Sequence, residues 1–571
     1  MVKVIDTDVL VIGGGVAGTN AALKARTSGA SVLILVKGIL GRSGASIFAG
    51  NLGGTVSESN REELVKNKTI IEASARYYKH YLADQDYIVD GLLYRKLEFY
   101  PELEREGFYI RRRDDGSILT NTGPIKGMWA YKQGYSGVFV MDIRRKQVRK
   151  AGIPVMEETM VTRLLTNDGR VVGATALDYA RGEFFAVRAK STILATGNSN
   201  YLATRATGTR EQCGNGYAMA WQAGAELQDL EIQWWHVSDF AAPKAWMRLH
   251  NYPNYLPGTS RQSQLVNSKN EVFFEGSMYP LARAPYYLQI KHLQKEVKKG
   301  LARWVGGYFT SYRHIEPEVM ENEYHASFYK KLGINPTKDL IECGITWHMT
   351  LGGIRCNLPT METNVPGLYA AGSGTGHYVG GIDFASLDGK MAGIHAAENA
   401  KKRSLSEFDM TQLHEEEKRI FKNLKNSPDN GISPVEVKRM IREIMWDEMG
   451  YVKNETKMRR ALERLKEVRE KIVPRMHLST GTTVWNYEWV DALDVDDMLQ
   501  VCELLVQSSI MRKESRGPFY REDYPYVDNE NWLKHICLRQ KNGKAEYYTV
   551  PVDLKYVRPD KMKEDFFAID Y

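Results

Sequence analysis

Three glycines, Gly13, Gly15 and Gly18, have the spacing that lets a backbone close around a phosphate. A buried-strand run, Asp8-Val9-Leu10-Val11-Ile12, leads into them, and a helix-forming run, Ala21-Ala22-Leu23-Lys24-Ala25, follows. In that setting Gly13 permits the tight turn, Gly15 lets the chain approach a pyrophosphate, and Gly18 allows helix and strand to pack closely, with the helix N-terminus facing the anion. A second apolar strand, Ser31-Val32-Leu33-Ile34-Leu35-Val36, completes a βαβ opening and favours dinucleotide binding over a merely structural glycine turn. Such folds usually end the second strand with an acid that holds ribose hydroxyls. Here Val36 and Lys37 stand instead, so the backbone or Lys37 must serve that end.

Other residue types narrow the chemistry by exclusion. The five cysteines (Cys213, Cys343, Cys356, Cys502 and Cys537) include no Cys-x-x-Cys pair, which argues against a disulfide framework, a zinc site or an iron–sulfur cluster in this chain. No metal ligands are assigned, and any one-electron relay is expected on a partner. A net charge of +7 over 571 residues is small, and its densest run, Arg111-Arg112-Arg113, precedes the turn Asp114-Asp115-Gly116. That reads as a solvated hairpin, with a phosphate or partner site as the lesser alternative, and nucleic-acid binding is not indicated. Hydrophobic residues make up 43% and charged residues 26%, the composition of a large globular protein. No apolar run approaches the roughly 18 residues of a membrane span, and the fingerprint lies too near Met1 for a leader to precede it. A cytoplasmic protein is expected.

The elements that must position these groups follow in order. Strand signals return at 160–165, 170–177 and 183–187, separated by Asn167-Asp168-Gly169 and Arg181-Gly182, as an antiparallel meander. A separate strand, Ser191-Thr192-Ile193-Leu194-Ala195-Thr196-Gly197, is expected to rejoin a central parallel sheet. From Gln228 the composition turns aromatic and irregular, with Trp234-Trp235-His236 and Tyr252-Pro253-Asn254-Tyr255, before an amphipathic helix at 288–299. The dinucleotide fold resumes at Gly367-Leu368-Tyr369-Ala370-Ala371-Gly372. Residues 415–511 are charged and helix-favouring, with Met458, Leu462, Leu465, Val468 and Ile472 at helical spacing, and Lys541-Asn542-Gly543-Lys544 signals a late hairpin.

This order of parts resembles the flavoprotein subunits of fumarate reductase and succinate dehydrogenase, a family that includes L-aspartate oxidase and the adenylylsulfate reductase alpha subunit. The resemblance rests on the opening fingerprint, Gly41-Arg42-Ser43-Gly44-Ala45, Trp347-His348-Met349-Thr350-Leu351-Gly352-Gly353-Ile354, Gly367 to Gly372, and Glu514-Ser515-Arg516-Gly517-Pro518-Phe519-Tyr520-Arg521. It implies an α/β fold: a Rossmann-like FAD-binding domain (1–227 and 346–402) with an inserted α+β capping domain (228–345), a C-terminal helical bundle domain (403–528) and a tail (529–571). It also implies bound FAD, contacted by Gly13, Gly15, Val16, Ala17, Gly18, Lys37, Arg42, Ser43, Gly44, Val161, Ala195, Thr196, Gly197, Gly372, Ser386 and Leu387. Respiratory members attach the flavin covalently through a histidine just after the Arg-Ser; Gly44 stands there, so noncovalent FAD is expected.

The same resemblance supplies the candidate catalytic residues. Glu231-Ile232-Gln233-Trp234-Trp235-His236 is similar to a family segment ending in an active-site histidine, and His348-Met349-Thr350-Leu351-Gly352-Gly353 is similar to a second. His236 and His348 are therefore the first candidates, against the alternative of core histidines satisfied by carbonyls. The family's proton-donating arginine is missing from its expected place, leaving a shifted Arg261, and its carboxylate-clamping arginine corresponds to Phe384 in the register beginning at His377. Loss of that clamp makes fumarate, succinate and aspartate weaker substrates. Arg516 and Arg521 are expected to pair carboxylates between domains, with partner contact as the lesser role.

The expected function is an FAD-dependent reductase or dehydrogenase acting on a carbon–carbon double bond of a small organic acid or related compound, with His236, His348, Arg261 and His377 orienting it. Electrons would pass through a separate iron–sulfur or ferredoxin-like subunit. The alternatives are sulfur chemistry like that of adenylylsulfate reductase, motivated by Gly44-Ala45 and the tryptophan pair, an oxidase, or an electron-relay subunit with no substrate of its own.

Overall fold

The computed structural model describes residues 2–49, 52–110, 126–128, 136–239, 263–275, 286–321, 326–422, 424 and 431–568. Arg261, Arg111 to Gly116 and Tyr252 to Tyr255 lie outside them. The chain opens with β1 (Lys3–Ile12), α1 (Val16–Thr27) and β2 (Val32–Leu35), then the helices α2 (Lys68–Lys79) and α3 (Gln85–Tyr94). β3 (Val155–Met156), β4 (Thr159–Asn167), β5 (Arg170–Asp178) and β6 (Glu183–Leu194) follow. β1 pairs in parallel with β2 on one side and β6 on the other, and β4 and β5 continue the sheet antiparallel. Alternate residues of β1 enter different cores, Leu10 and Ile12 on one face and Val9 and Val11 on the other, as a doubly covered sheet requires.

One expectation is corrected here. The meander strand and the strand returning to the parallel sheet are a single twelve-residue strand, β6. Arg188-Ala189-Lys190 holds no turn residue, so the chain runs straight on. Residues 183–188 pair antiparallel with β5, and residues 185–194 run parallel to β1.

α4 (Asn215–Gln222) and β7 (Leu227–Gln228) lead to a second, five-stranded sheet. It comprises β8 (Gln233–Asp239), β9 (Gln264–Val266), β10 (Val272–Glu275), β11 (Tyr308–Ser311) and β12 (Ile341–Thr350), with α5 (Tyr286–Lys298) following β10. β12 runs across the boundary expected at 345–346. β13 (Gly353–Ile354) and β14 (Leu368–Ala370) follow, and β14 returns to the first sheet beside β6. The long helix α6 (Ile382–Lys401) packs on α1.

Four helices, α7 (Met410–Lys422), α8 (Pro434–Met449), α9 (Glu455–Glu467) and α10 (Tyr487–Met511), form the helical region. Met458, Leu465 and Val468 are buried there, and Leu462 and Ile472 pack at the edge. The late hairpin is real: β15 (Lys534–Lys541) and β16 (Lys544–Pro551) pair up to Lys541 opposite Lys544. This part of the expected tail is integral to the fold, because β15 also pairs with β7. Among the described residues no helix is long and apolar enough to cross a membrane.

Candidate active site

The glycine turn lines a cleft whose empty space, open solvent included, is about 980 Å³. Gly13 has φ +119°, and a Cβ there would lie 2.2 Å from the Ala195 carbonyl oxygen. A Cβ on Gly18 would lie 2.0 Å from the Gly13 carbonyl oxygen, so only glycine lets α1 start this close to β1. Gly15 caps α1 without a side-chain hydrogen bond, and Gly15, Val16 and Ala17 at the helix start line the cleft, the Val16 N–H donating to the Ser46 hydroxyl at 3.1 Å.

Of the residues expected at a dinucleotide, Gly13, Gly15, Val16, Ala17, Lys37, Ser43, Gly44, Val161, Ala195, Thr196 and Gly197 line this cleft. Gly18 and Gly372 sit behind it as packing positions, Gly372 donating its N–H to Asp388. Three side chains are placed elsewhere. Arg42 turns outward to Asp142, Ser386 bonds Asn20 and Tyr94 between helices, and Leu387 is buried in the core. Ser46, Asn198, Glu211, Gln212 and Asn215 also line the cleft, and no local motif announced them. Asn198, Glu211 and Gln212 lie in the connection from β6 to α4, Asn215 is the first residue of α4, and Ser46 comes from the segment after β2.

His236 and His348 meet on neighbouring strands of the second sheet. Their rings stack with centroids 3.8 Å apart and planes 8° from parallel. A register shift between Trp234 and Trp235 leaves His348 as the extra residue of β12, which brings it toward the ring of His236. The intervening Trp235 and Trp347 pack against each other on the opposite, core face, 5.5 Å apart. His348 Nδ1 lies 2.7 Å from the Thr207 hydroxyl.

The end of β12 is stitched to the cleft. Asn198, in the cleft wall, donates to the Thr350 carbonyl at 2.6 Å, and Asn200 donates to the His348 carbonyl at 2.9 Å.

His377 belongs to a different set of contacts. Its Nε2 lies 3.4 Å from Asp388 and 3.3 Å from the Thr375 hydroxyl, and its ring meets the Tyr87 ring edge-on at 4.7 Å. Phe384 is fully buried against Gly91 of α3. The Arg95 guanidinium lies 5.5 Å from its ring centroid and pairs with Asp383 at 2.5 Å.

A buried charge cluster adjoins this loop. Lys79 donates to the Gly376 carbonyl at 2.7 Å, and burial pushes its ammonium down to about 8 against the opposing pull of Asp229 and Glu231. Glu231 is pushed up to about 7 by burial, although Arg512 bonds it at 2.7 Å. Arg516 pairs with Glu514 and Arg521 with Asp523. These carboxylates lie two residues away instead of across domains, while Arg516 also donates to the His80 carbonyl at 3.1 Å and Arg521 lies 3.8 Å from Glu455 of α9.

Comparison with known proteins places this geometry. A family model described as "FAD binding domain" matches residues 8–384, and one described as "Fumarate reductase flavoprotein C-term" matches residues 438–564. The chain belongs to the fumarate reductase/succinate dehydrogenase flavoprotein family.

One subunit of the CoM/CoB fumarate reductase of Methanothermobacter marburgensis is 28% identical over 559 residues, 94% of this chain and 98% of the relative. A variant of E. coli quinol fumarate reductase, FrdA chain, shares the fold with TM-score 0.85 at 21% identity, covering 98% of this chain and 99% of that one. Adenylylsulfate reductase from Archaeoglobus fulgidus does so at 0.77 and 19%, over 98% of each.

This family member is an FAD-dependent oxidoreductase. Its cleft fits FAD: the glycine turn clears space for a pyrophosphate, and Gly44, at φ +80°, offers no side chain for a covalent bond to the flavin. The cofactor is FAD.

Proposed function

We propose that this flavoprotein reduces or forms a carbon–carbon double bond in a small organic acid or related compound, exchanging electrons with a separate iron–sulfur or ferredoxin-like protein in the cytoplasm. The observation that carries the reading is the stacked pair His236–His348, tied by β12 to the cleft wall at Asn198. FAD supplies the redox chemistry when bound.

The chain's residues then have positional work. Thr207 engages Nδ1 of His348 and so fixes the tilt of the ring that would face a substrate. His236, nearly fully buried beside it, restricts the ring of His348 to one orientation. His377 and Arg261 are the further candidates for orienting substrate or moving its proton. Phe384, the residue the resemblance put in place of a cation, is fully buried against Gly91 and is not among the residues lining the cleft, so it does not bear on the substrate's charge. Support for a role within a larger enzyme comes from the Methanothermobacter relative, which is itself named as one subunit of its reductase.

The sulfur-chemistry alternative loses part of its motive, because Trp235 lies in the core among Trp347, Trp446 and Tyr451 and offers no stacking platform. The test is turnover of enoates with a reduced dye as donor, in the wild type and in His348→Ala. Retained FAD with turnover lost supports the proposal, and full activity in His348→Ala sinks it.

A further inference from the structure

Lys37 stands just beyond β2, where a ribose-holding acid is expected, and the structure shows what surrounds it. Lys37 lines the cleft at the end of β2, the side where a Rossmann-like fold places the adenosine ribose. Its ammonium bonds Asp494 Oδ1 at 2.5 Å and Asn215 Oδ1 at 3.2 Å. The amide of Asn215, also in the cleft wall, donates to Asp494 at 3.0 Å and to Asp497 at 2.7 Å.

Asp494 belongs to α10 of the helical region, and its second oxygen accepts from Lys438 of α8 at 2.8 Å. Asp494 is buried, at 1% side-chain exposure, and Lys37 is partly buried, at 19%. A buried carboxylate would ordinarily hold its proton, yet Lys37 and Lys438 keep Asp494 well below the usual carboxylate range.

We propose that Asp494 is a positioning residue for the cofactor: acting through Lys37 and Asn215, it lets the helical region complete the adenosine end of the FAD site. An ammonium carries three N–H donors, and two of those on Lys37 are engaged here. The third serves the ribose hydroxyls in place of the missing acid. Asp494 also cancels the lysine's charge, so the ribose end does not select for an added phosphate, as an unpaired cation there would. By linkage, whatever Asp494 adds to FAD affinity, FAD adds to the docking of α10.

The experiment uses full-length apoprotein, prepared by mild removal of FAD, as wild type, Asp494→Asn, Lys37→Met and the double variant. FAD affinity is read by flavin fluorescence, and ADP, which carries the adenosine end alone, by its competition with FAD. The expected result is a loss of about tenfold or more in affinity for both ligands in each single variant, of equal factor, with the double variant no worse than either. Unchanged FAD affinity, a loss for FAD that ADP does not share, or additive losses in the double variant overturn the proposal. If Asp494→Asn does not fold, Lys37→Met decides by the same ADP comparison.

Discussion

His236 and His348 lie face to face, with 3.8 Å between ring centroids and planes within 8° of parallel. Their neighbours explain the arrangement. Trp235 and Trp347 fill the core side of the same two strands, so the histidines must face the other way, and the irregular register between Trp234 and Trp235 closes the gap. Rings stacked this closely hold each other's orientation.

His348→Ala and His236→Ala are each expected to retain FAD at one per chain and to lower kcat/KM on enoates by about 100-fold or more. The double variant is expected to be little worse than the weaker single one, since the pair works together. Steady-state kinetics on flavin-normalised protein checks this.

Acid precipitation of the purified protein is expected to leave a colourless pellet and FAD in the supernatant near one per chain, because Gly44 has no side-chain nucleophile. A yellow pellet would contradict noncovalent binding.

Gly18→Ala is expected to strip FAD and destabilise the fold, by roughly 1–3 kcal/mol, since the new methyl would sit 2.0 Å from the Gly13 carbonyl oxygen. The flavin-to-protein absorbance ratio and a denaturant midpoint report the two effects separately.

Lys453 is fully buried over the rings of Trp235 and Phe519, and burial, reinforced by Arg521 and Lys457, pushes its ammonium from 10.5 down to about 7. Between those values the unfolded chain binds more protons than the folded one, so this lysine's stability contribution rises with pH from about 7 to 10.5. Lys453→Met is expected to be more stable than wild type below pH 7, on the order of 2–5 kcal/mol, with the gap closing as pH rises. Thermal unfolding at pH 6, 8 and 10 tests the sign.

Arg512→Met removes the shared partner of Glu231 and Glu514, all with side chains at 0% exposure. A loss of about 3–5 kcal/mol is expected at pH 8, shrinking at pH 5, where Glu231 takes a proton and its uncompensated charge disappears. Chemical denaturation at the two pH values measures it.

How much of this was legible depends on whether the signal was local. The glycine turn, the two opening strands, the helical region and the Asn542-Gly543 hairpin each follow from residues adjacent in sequence, where periodicity and φ preference act directly. Residues 183–197 mislead for the same reason: a two-sided strand and two separate strands share the same apolar alternation, and pairing partners decide between them.

By itself, the sequence determined that a phosphate-binding βαβ unit opens the chain, that position 44 cannot carry a flavin bond, and that His236 and His348 stand in motifs worth testing. Only the tertiary structure decided that those histidines touch, that Arg42, Ser386 and Leu387 turn from the cleft, and that Lys37 is answered by Asp494 some 450 residues away. The physical reason is that burial and charge pairing are settled between elements. A side chain's type is encoded at its position, while its partner is chosen by how sheets and helices pack.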